Sequence, residues 1–180
     1  ILMTNSLKEK ITIKVELLKH ITDIDLADIC NITEQAIKAG GGFGWLKVPP
    51  REILNNYWKG LLVVQNRIII AGRLNGAIAG ALQLGLQPSN NEAQKNIANI
   101  TSHFVAPWAR GYGLAKQMID YAEIMTKENG SSCVQLDIRE TQEAAIQLFK
   151  SKGYKQWGLN PNYASVDGKT IKGLYFYKNI

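Results

Sequence analysis

Residues 97–127 constrain this chain more than any other stretch. An apolar alternating run from Ile97 to Val105 halts at Pro107, crosses Arg110-Gly111-Tyr112-Gly113 and enters a pattern of helical period. Leu114, Met118, Ile119, Ala122 and Met125 recur on one face before Gly130, which predicts a helix over 113–127. A strand that feeds a helix through glycines presents unpaired N–H groups at the positive end of the helix dipole. Gly111 and Gly113 let an anion reach the main chain with no Cβ in the way, and Arg110 adds a charge on one flank. A pyrophosphate fits such a turn.

The remaining elements follow from period and punctuation. Alternation over 11–17 predicts a half-buried first strand, and Thr22 or Asp23 caps a helix that ends near Gly40. Gly40-Gly41-Gly42-Phe43-Gly44 is expected to be a mobile loop, either a lid on the acceptor side or a slack linker. Pro49 and Pro50 open a short helix through Trp58. Asn75-Gly76 between apolar runs at 67–74 and 77–86 predicts an antiparallel hairpin. A loop over 87–95 precedes the fourth strand, and 133–138, 141–152, 154–159 and 173–177 read as strand, helix, strand and strand. Strand–helix alternation in the second half implies parallel crossovers and the hairpin implies antiparallel pairing, so the sheet must be mixed.

At 180 residues, with 46% apolar and 20% charged, the chain is expected to form one domain over 1–180 with an ordinary core. A net charge of +6 favours anionic ligands without naming one. The basic residues are spread along the chain, which argues against a nucleic-acid partner. No apolar stretch reaches the ~18–20 residues of a membrane span. Lys8, Glu9 and Lys10 interrupt any leader, and Met3 is the expected start. Cys30 and Cys133 form neither a disulfide framework nor a zinc ribbon, so a reducing cytoplasm is the expected setting. Gly168-Lys169-Thr170 lacks the first glycine of a P-loop because position 163 is Tyr163, and Lys116 breaks a dinucleotide fingerprint. No spacing of metal ligands occurs, so no metal is expected.

Arg110-x-x-Gly113-x-Ala115, preceded by Phe104-Val105-Ala106-Pro107 and followed by Gln142-x-x-Ala145-Ile146-x-Leu148-Phe149-x-x-x-Gly153-Tyr154, resembles the GNAT family of N-acetyltransferases. The glycine loop at 40–44, Pro88-Ser89-Asn90-Asn91, and the tail with Tyr163, Asp167-Gly168 and Leu174-Tyr175-Phe176 are similar to its tabtoxin-resistance subgroup. The resemblance implies an α+β fold in three layers, α/β/α. Its central sheet is mixed and mostly antiparallel, of six or seven strands, with a splayed parallel pair at the fourth and fifth. It further implies acetyl transfer from acetyl-CoA directly to a primary amine. The expected partner is a small-molecule amine, with a homodimer as the open assembly. By resemblance, Arg110, Gly111, Tyr112, Gly113, Leu114, Ala115 and Lys116 hold the pyrophosphate. Phe104, Val105 and Ala106 hold the pantetheine and acetyl group, and Gln142, Ala145, Phe149 and Lys152 also touch the cofactor. The Val105 N–H would polarise the thioester carbonyl, a contribution of ~3 kcal/mol.

Where relatives place a glutamate base this chain has Asn99, and where they place a tyrosine acid it has Phe149. Those departures leave a second reading open, a degenerate relative that binds acyl-CoA without turnover. Substitutes are available. Asp137, near the end of the fifth strand, reads as base or amine-binding group, or as a carboxylate bonded to a helix cap. His103 shares strand parity with Asn99 and titrates near neutrality, and reads as a second base or as core. Tyr163, in a polar tail loop, reads as donor or cover, and Tyr154 as core. Lys150 and Lys152 read as contacts to a 3′-phosphate or as solvated helix charges. The four tryptophans read as cleft lining or core.

Overall fold

The computed structural model describes residues 10–180, so the readings at Met3, Lys8 and Glu9 lie outside the described residues. Seven strands and four helices follow one another as β1 (Ile13–Leu17), α1 (Asp23–Lys38), α2 (Arg51–Leu61), β2 (Arg67–Leu74), β3 (Ala77–Leu86), β4 (Ile97–Val105), α3 (Leu114–Glu128), β5 (Cys133–Arg139), α4 (Glu143–Ser151), β6 (Lys155–Val166) and β7 (Lys169–Asn179). They form one mixed sheet in the order β1-β2-β3-β4-β5-β7-β6, in which only β4 and β5 run parallel. No helix among the described residues is long and apolar enough to cross a membrane.

Local chemistry sets the elements. Thr22 caps α1 by accepting from the Asp25 amide at 3.1 Å, and Asp23 and Asp25 complement the positive end of the helix. Asn75 and Gly76 take φ of 49° and 86°, the left-handed pair that a two-residue hairpin needs. The Asn75 side chain also accepts from the Thr12 amide at 2.9 Å, which ties the start of β1 to the same turn. Pro50 stands at the N-cap of α2 and not inside its first turn.

The helices lie on both faces. Gln83 of β3 donates to the Tyr57 hydroxyl of α2, whereas a Cβ on Gly80, three residues earlier, would meet Met118 of α3. An odd offset along a strand reverses the face, so α2 and α3 cover opposite sides. α1 and α2 pack around the fully buried Trp58, whose indole donates to Thr33 Oγ1 at 3.0 Å. Lys152, at the end of α4, pairs with Asp120 of α3 and holds those two helices on the other face.

The tail departs from expectation. Residues 160–166 are not a loop: β6 continues through Tyr163 to Val166 and turns into β7 at Asp167-Gly168, with φ of 50° and 75°. Between Asn160↔Gly173 and Ala164↔Ile171 the register gives β6 extra residues, Pro161 among them, and this wide bulge hides the strand alternation.

Candidate active site

The turn ahead of α3 is built to accept an anion. Pro107–Ala109 make one 3₁₀ turn, Arg110 is extended, and Gly111 and Gly113 take φ of 85° and 77°. Side chains rarely tolerate that conformation, so glycine is what lets the chain expose its amides there. Gly113 is the N-cap of α3 and supplies no capping side chain. Among the described residues, the amides of 111–116 consequently donate to no backbone or side-chain acceptor. Arg110, Gly111, Tyr112, Gly113 and Lys116 are exposed, Ala115 is half-buried and Leu114 roots the helix in the core.

Next to this turn the sheet opens. β4 and β5 pair only from Ile97–Asn99 to Cys133–Gln135 and then part. A cleft of about 530 Å³ fills the gap, lined by Thr101, Ser102 and His103 on one side and Asp137 and Arg139 on the other. That size suits one small ligand or the reacting end of a larger one. The Ala106 amide donates back to Ala79 at 2.8 Å and its carbonyl accepts from Ala109, so both its backbone groups are engaged. Successive amides of a strand point to opposite edges, which turns the Val105 amide toward the open side. The Phe104 ring packs edge-on against Phe43 at 5.0 Å and is core.

A β-bulge decides which side chains share this cleft. Between Ala81↔Phe104 and Gln83↔Thr101, two residues of β4 oppose one of β3, and Ser102 takes a φ of 48°. Parity reverses there. Asn99, Thr101 and Phe104 lie on the α1–α2 face, while His103 turns to the α3–α4 face and meets the Phe149 ring at 5.6 Å. The expected common face of His103 and Asn99 is therefore overturned.

Asp137 is exposed on the α1–α2 face, two residues past Gln135. It does not bond a helix cap: the Tyr163 hydroxyl, carried over from β6, donates to Asp137 Oδ2. Gly173 of β7 makes the crossing possible, since a Cβ there would fall within the Tyr163 ring. Burial first, and the bond to Asp137 second, push the Tyr163 phenol above its ordinary pKa, so it stays protonated and donates throughout the neutral range.

The glycine loop is not slack. Arg139 Nη2 donates to the Phe43 carbonyl at 2.8 Å, and Gln142 Nε2 donates to the Gly40 carbonyl at 2.8 Å. A Cβ on Gly41 would stand 2.6 Å from Gln142 Oε1, so the absent side chain is what admits the clamp. Gln142 thus directs its amide to the loop, and Gly42, Phe43 and Gly44 wall the cleft. Ala145 and Phe149 line it from α4. Lys152 is neutralised by Asp120, whereas Lys150 is solvated. Tyr154 is core, and none of the four tryptophans lines the cleft.

His103 is turned to the α3–α4 face, opposite to that of Asp137 and Thr101. Burial pulls its pKa down to about 4 from 6.5, with a hydrogen bond to the Ala115 backbone opposing weakly. Its Nε2 is buried without a partner. The unfolded chain therefore takes up this proton at higher pH than the fold does, and stability falls as pH drops from 6.5 toward about 4. Replacing His103 with Gln is expected to shrink that loss. Urea unfolding at neutrality and at the acid end of the window measures it, and an unchanged loss would assign the acid sensitivity elsewhere.

Sequence reasoning missed Arg139 and the bulge at Ser102. Parity alone puts Arg139 on the face of Asp137, two residues away, and that signal was available; nothing local marks the bulge.

The Acetyltransferase (GNAT) family model matches residues 31–154. An uncharacterized N-acetyltransferase from the hisH-hisA intergenic region of Azospirillum brasilense is 48% identical over 130 residues, 72% of this chain and 77% of that protein. An N-acetyltransferase of Staphylococcus aureus Mu50 superposes with a TM-score of 0.77 at 18% identity, covering 94% of this chain and 98% of its own. An acetyltransferase of Salmonella typhimurium, solved with its cofactor acetyl-CoA, superposes at 0.74 with 15% identity, covering 94% of each chain.

Proposed function

The chain belongs to the GNAT acetyltransferase family, and on that premise we propose that it transfers an acetyl group from acetyl-CoA to the primary amine of a small molecule. The observation that carries the cofactor assignment is the run of unpartnered amides at 111–116 beside the Arg110 guanidinium. Charge-assisted bonds to a doubly anionic bridge satisfy those donors together, as at other helix N-termini. The residues present therefore fit the group. Acetyl-CoA supplies an activated acyl carbon as a thioester. Val105 offers it an amide from the unpaired edge of β4, and Ala145 and Phe149 line the slot.

Asp137 is the group placed to handle the amine. Its Oδ2 is held by Tyr163, which leaves the second oxygen for the acceptor nitrogen. A carboxylate is too weak a base to strip an ammonium outright. The attacking species is the neutral fraction of the amine, its first proton lost to solvent. Asp137 orients it and takes the second N–H proton as the C–N bond forms, and the departing thiolate is protonated from solvent. Phe149 has no proton to give, so this site works by positioning, which supplies up to ~7–11 kcal/mol.

The cleft size and its two walls, the glycine loop and Tyr163–Val166, support a small acceptor. The glycine loop and Tyr163 are among the segments that carry the likeness to tabtoxin-resistance acetyltransferases, which forms part of this reading. Two free cysteines suit a cytoplasmic setting. The second reading, a binder without turnover, rests on Asn99 and Phe149. Free-thiol release from acetyl-CoA against a panel of primary amines is expected to exceed the hydrolytic background with at least one amine. Calorimetric binding of coenzyme A with no amine-dependent thiol would establish the second reading instead.

A further inference from the structure

The chain carries five arginines, and four have evident employment. Arg51 pairs with Glu34, Arg73 pairs with Glu16 and Asp25, Arg139 holds the glycine loop, and Arg110 flanks the anion turn. Arg67 is different. Its Nη1 donates to Gln83 Oε1 at 3.0 Å and to Thr101 Oγ1 at 3.2 Å, both neutral, and no carboxylate among the described residues pairs with it. A guanidinium has five donors in a planar fork. Those on Nε and Nη2 have no protein partner among the described residues.

Its position is fixed by register. Arg67 pairs with Gly85, Gly85 with Asn99, and Asn99 with Gln135, so all four lie on the α1–α2 face. Gln83 pairs with Thr101 on that face, and Asp137 stands two residues beyond Gln135, level with Thr101 across the gap where β4 and β5 part. A cation held at Thr101 thus faces a carboxylate at Asp137, separated by more than the ~5 Å of a paired strand interval. Thr101 and Asp137 both line the cleft.

We propose that the acceptor is a zwitterion of amino-acid type, its amine held at Asp137 and its carboxylate drawn along Thr101 to the free edge of Arg67. This deepens the acetyltransferase reading and rests on it. Neutral partners are what such a role requires, because an arginine already paired with a carboxylate has no free charge to offer an incoming one. The buried Gln83, bonded to Tyr57 and to Arg67, fixes the fork in place.

The test compares free α-amino acids with their carboxamides, which keep the amine and lose the anion. Wild-type protein is expected to prefer the acid by about 10- to 100-fold in kcat/KM, the size of a charge-assisted bidentate contact. Arg67→Gln is expected to abolish the preference, and Arg67→Lys to retain part of it. Calorimetry with protein saturated in coenzyme A gives the same ratio without turnover. Equal use of acid and amide by wild-type protein overturns the inference and leaves the acetyltransferase reading standing. A preference that persists in folded Arg67→Gln overturns the assignment to Arg67. Thiol release with other primary amines but with neither member of this pair overturns the inference alone, whereas release with no primary amine at all removes the parent reading and this one with it.

Discussion

Replacing Arg110, Gly111 and Gly113 together with glutamate is expected to weaken coenzyme A binding by at least about a thousandfold. Each charge-assisted bond to the pyrophosphate contributes ~1.5–3 kcal/mol. The triple variant removes the guanidinium, brings three carboxylates beside a dianion, and forces side chains onto positions with φ of 85° and 77°. All three residues are exposed, and a Cβ at either glycine meets nothing within 4 Å, so the fold is expected to survive. That separates loss of grip from loss of structure. Calorimetric titration with coenzyme A, beside a thermal melt, checks both, and undiminished affinity in a folded variant would show that the turn does not hold the cofactor.

Asp137→Asn is expected to lower kcat with the amine by about 10²- to 10⁴-fold, the range for removal of a positioned proton acceptor, with coenzyme A affinity unchanged. The amide keeps the shape and still accepts from Tyr163, but it neither balances an ammonium nor takes a proton. Tyr163→Phe leaves the carboxylate in the cleft and removes only its anchor, so its effect should be smaller, about tenfold, and confined to the acceptor step. Steady-state kinetics with the amine varied at saturating acetyl-CoA distinguishes the two. Full activity in Asp137→Asn would return the proton transfer to solvent and reduce the Asp137–Tyr163 contact to packing.

Both experiments follow from features of unequal visibility in the chain. The anion turn is local: strand, glycines and helix follow one another between Ile97 and Glu128, and each glycine is required by a φ that side chains avoid. Asp137 is half local, since its place at a strand end is readable but its partner is not. Tyr163 comes from a strand whose alternation is erased by the bulge at 161–163, and its route over β7 depends on Gly173, a residue with no motif around it. The Asp167-Gly168 turn carries the same left-handed signal as Asn75-Gly76, and it could have exposed that hairpin.

Sequence alone determined the elements and their order, the hairpin at Asn75-Gly76, the mixed sheet and the exposed amides ahead of α3, because each depends on the preferences of residues adjacent in the chain. Tertiary structure decided the rest. The bulge at Ser102 sends His103 to one face and leaves Thr101 on the other, Arg139 and Gln142 tie down a glycine loop roughly a hundred residues away, and the spread of β4 from β5 sets Thr101, with Arg67 bonded to it, across a gap from Asp137. Face and register are properties of paired strands, and a one-residue irregularity reverses them without leaving a mark on the hydrophobic pattern.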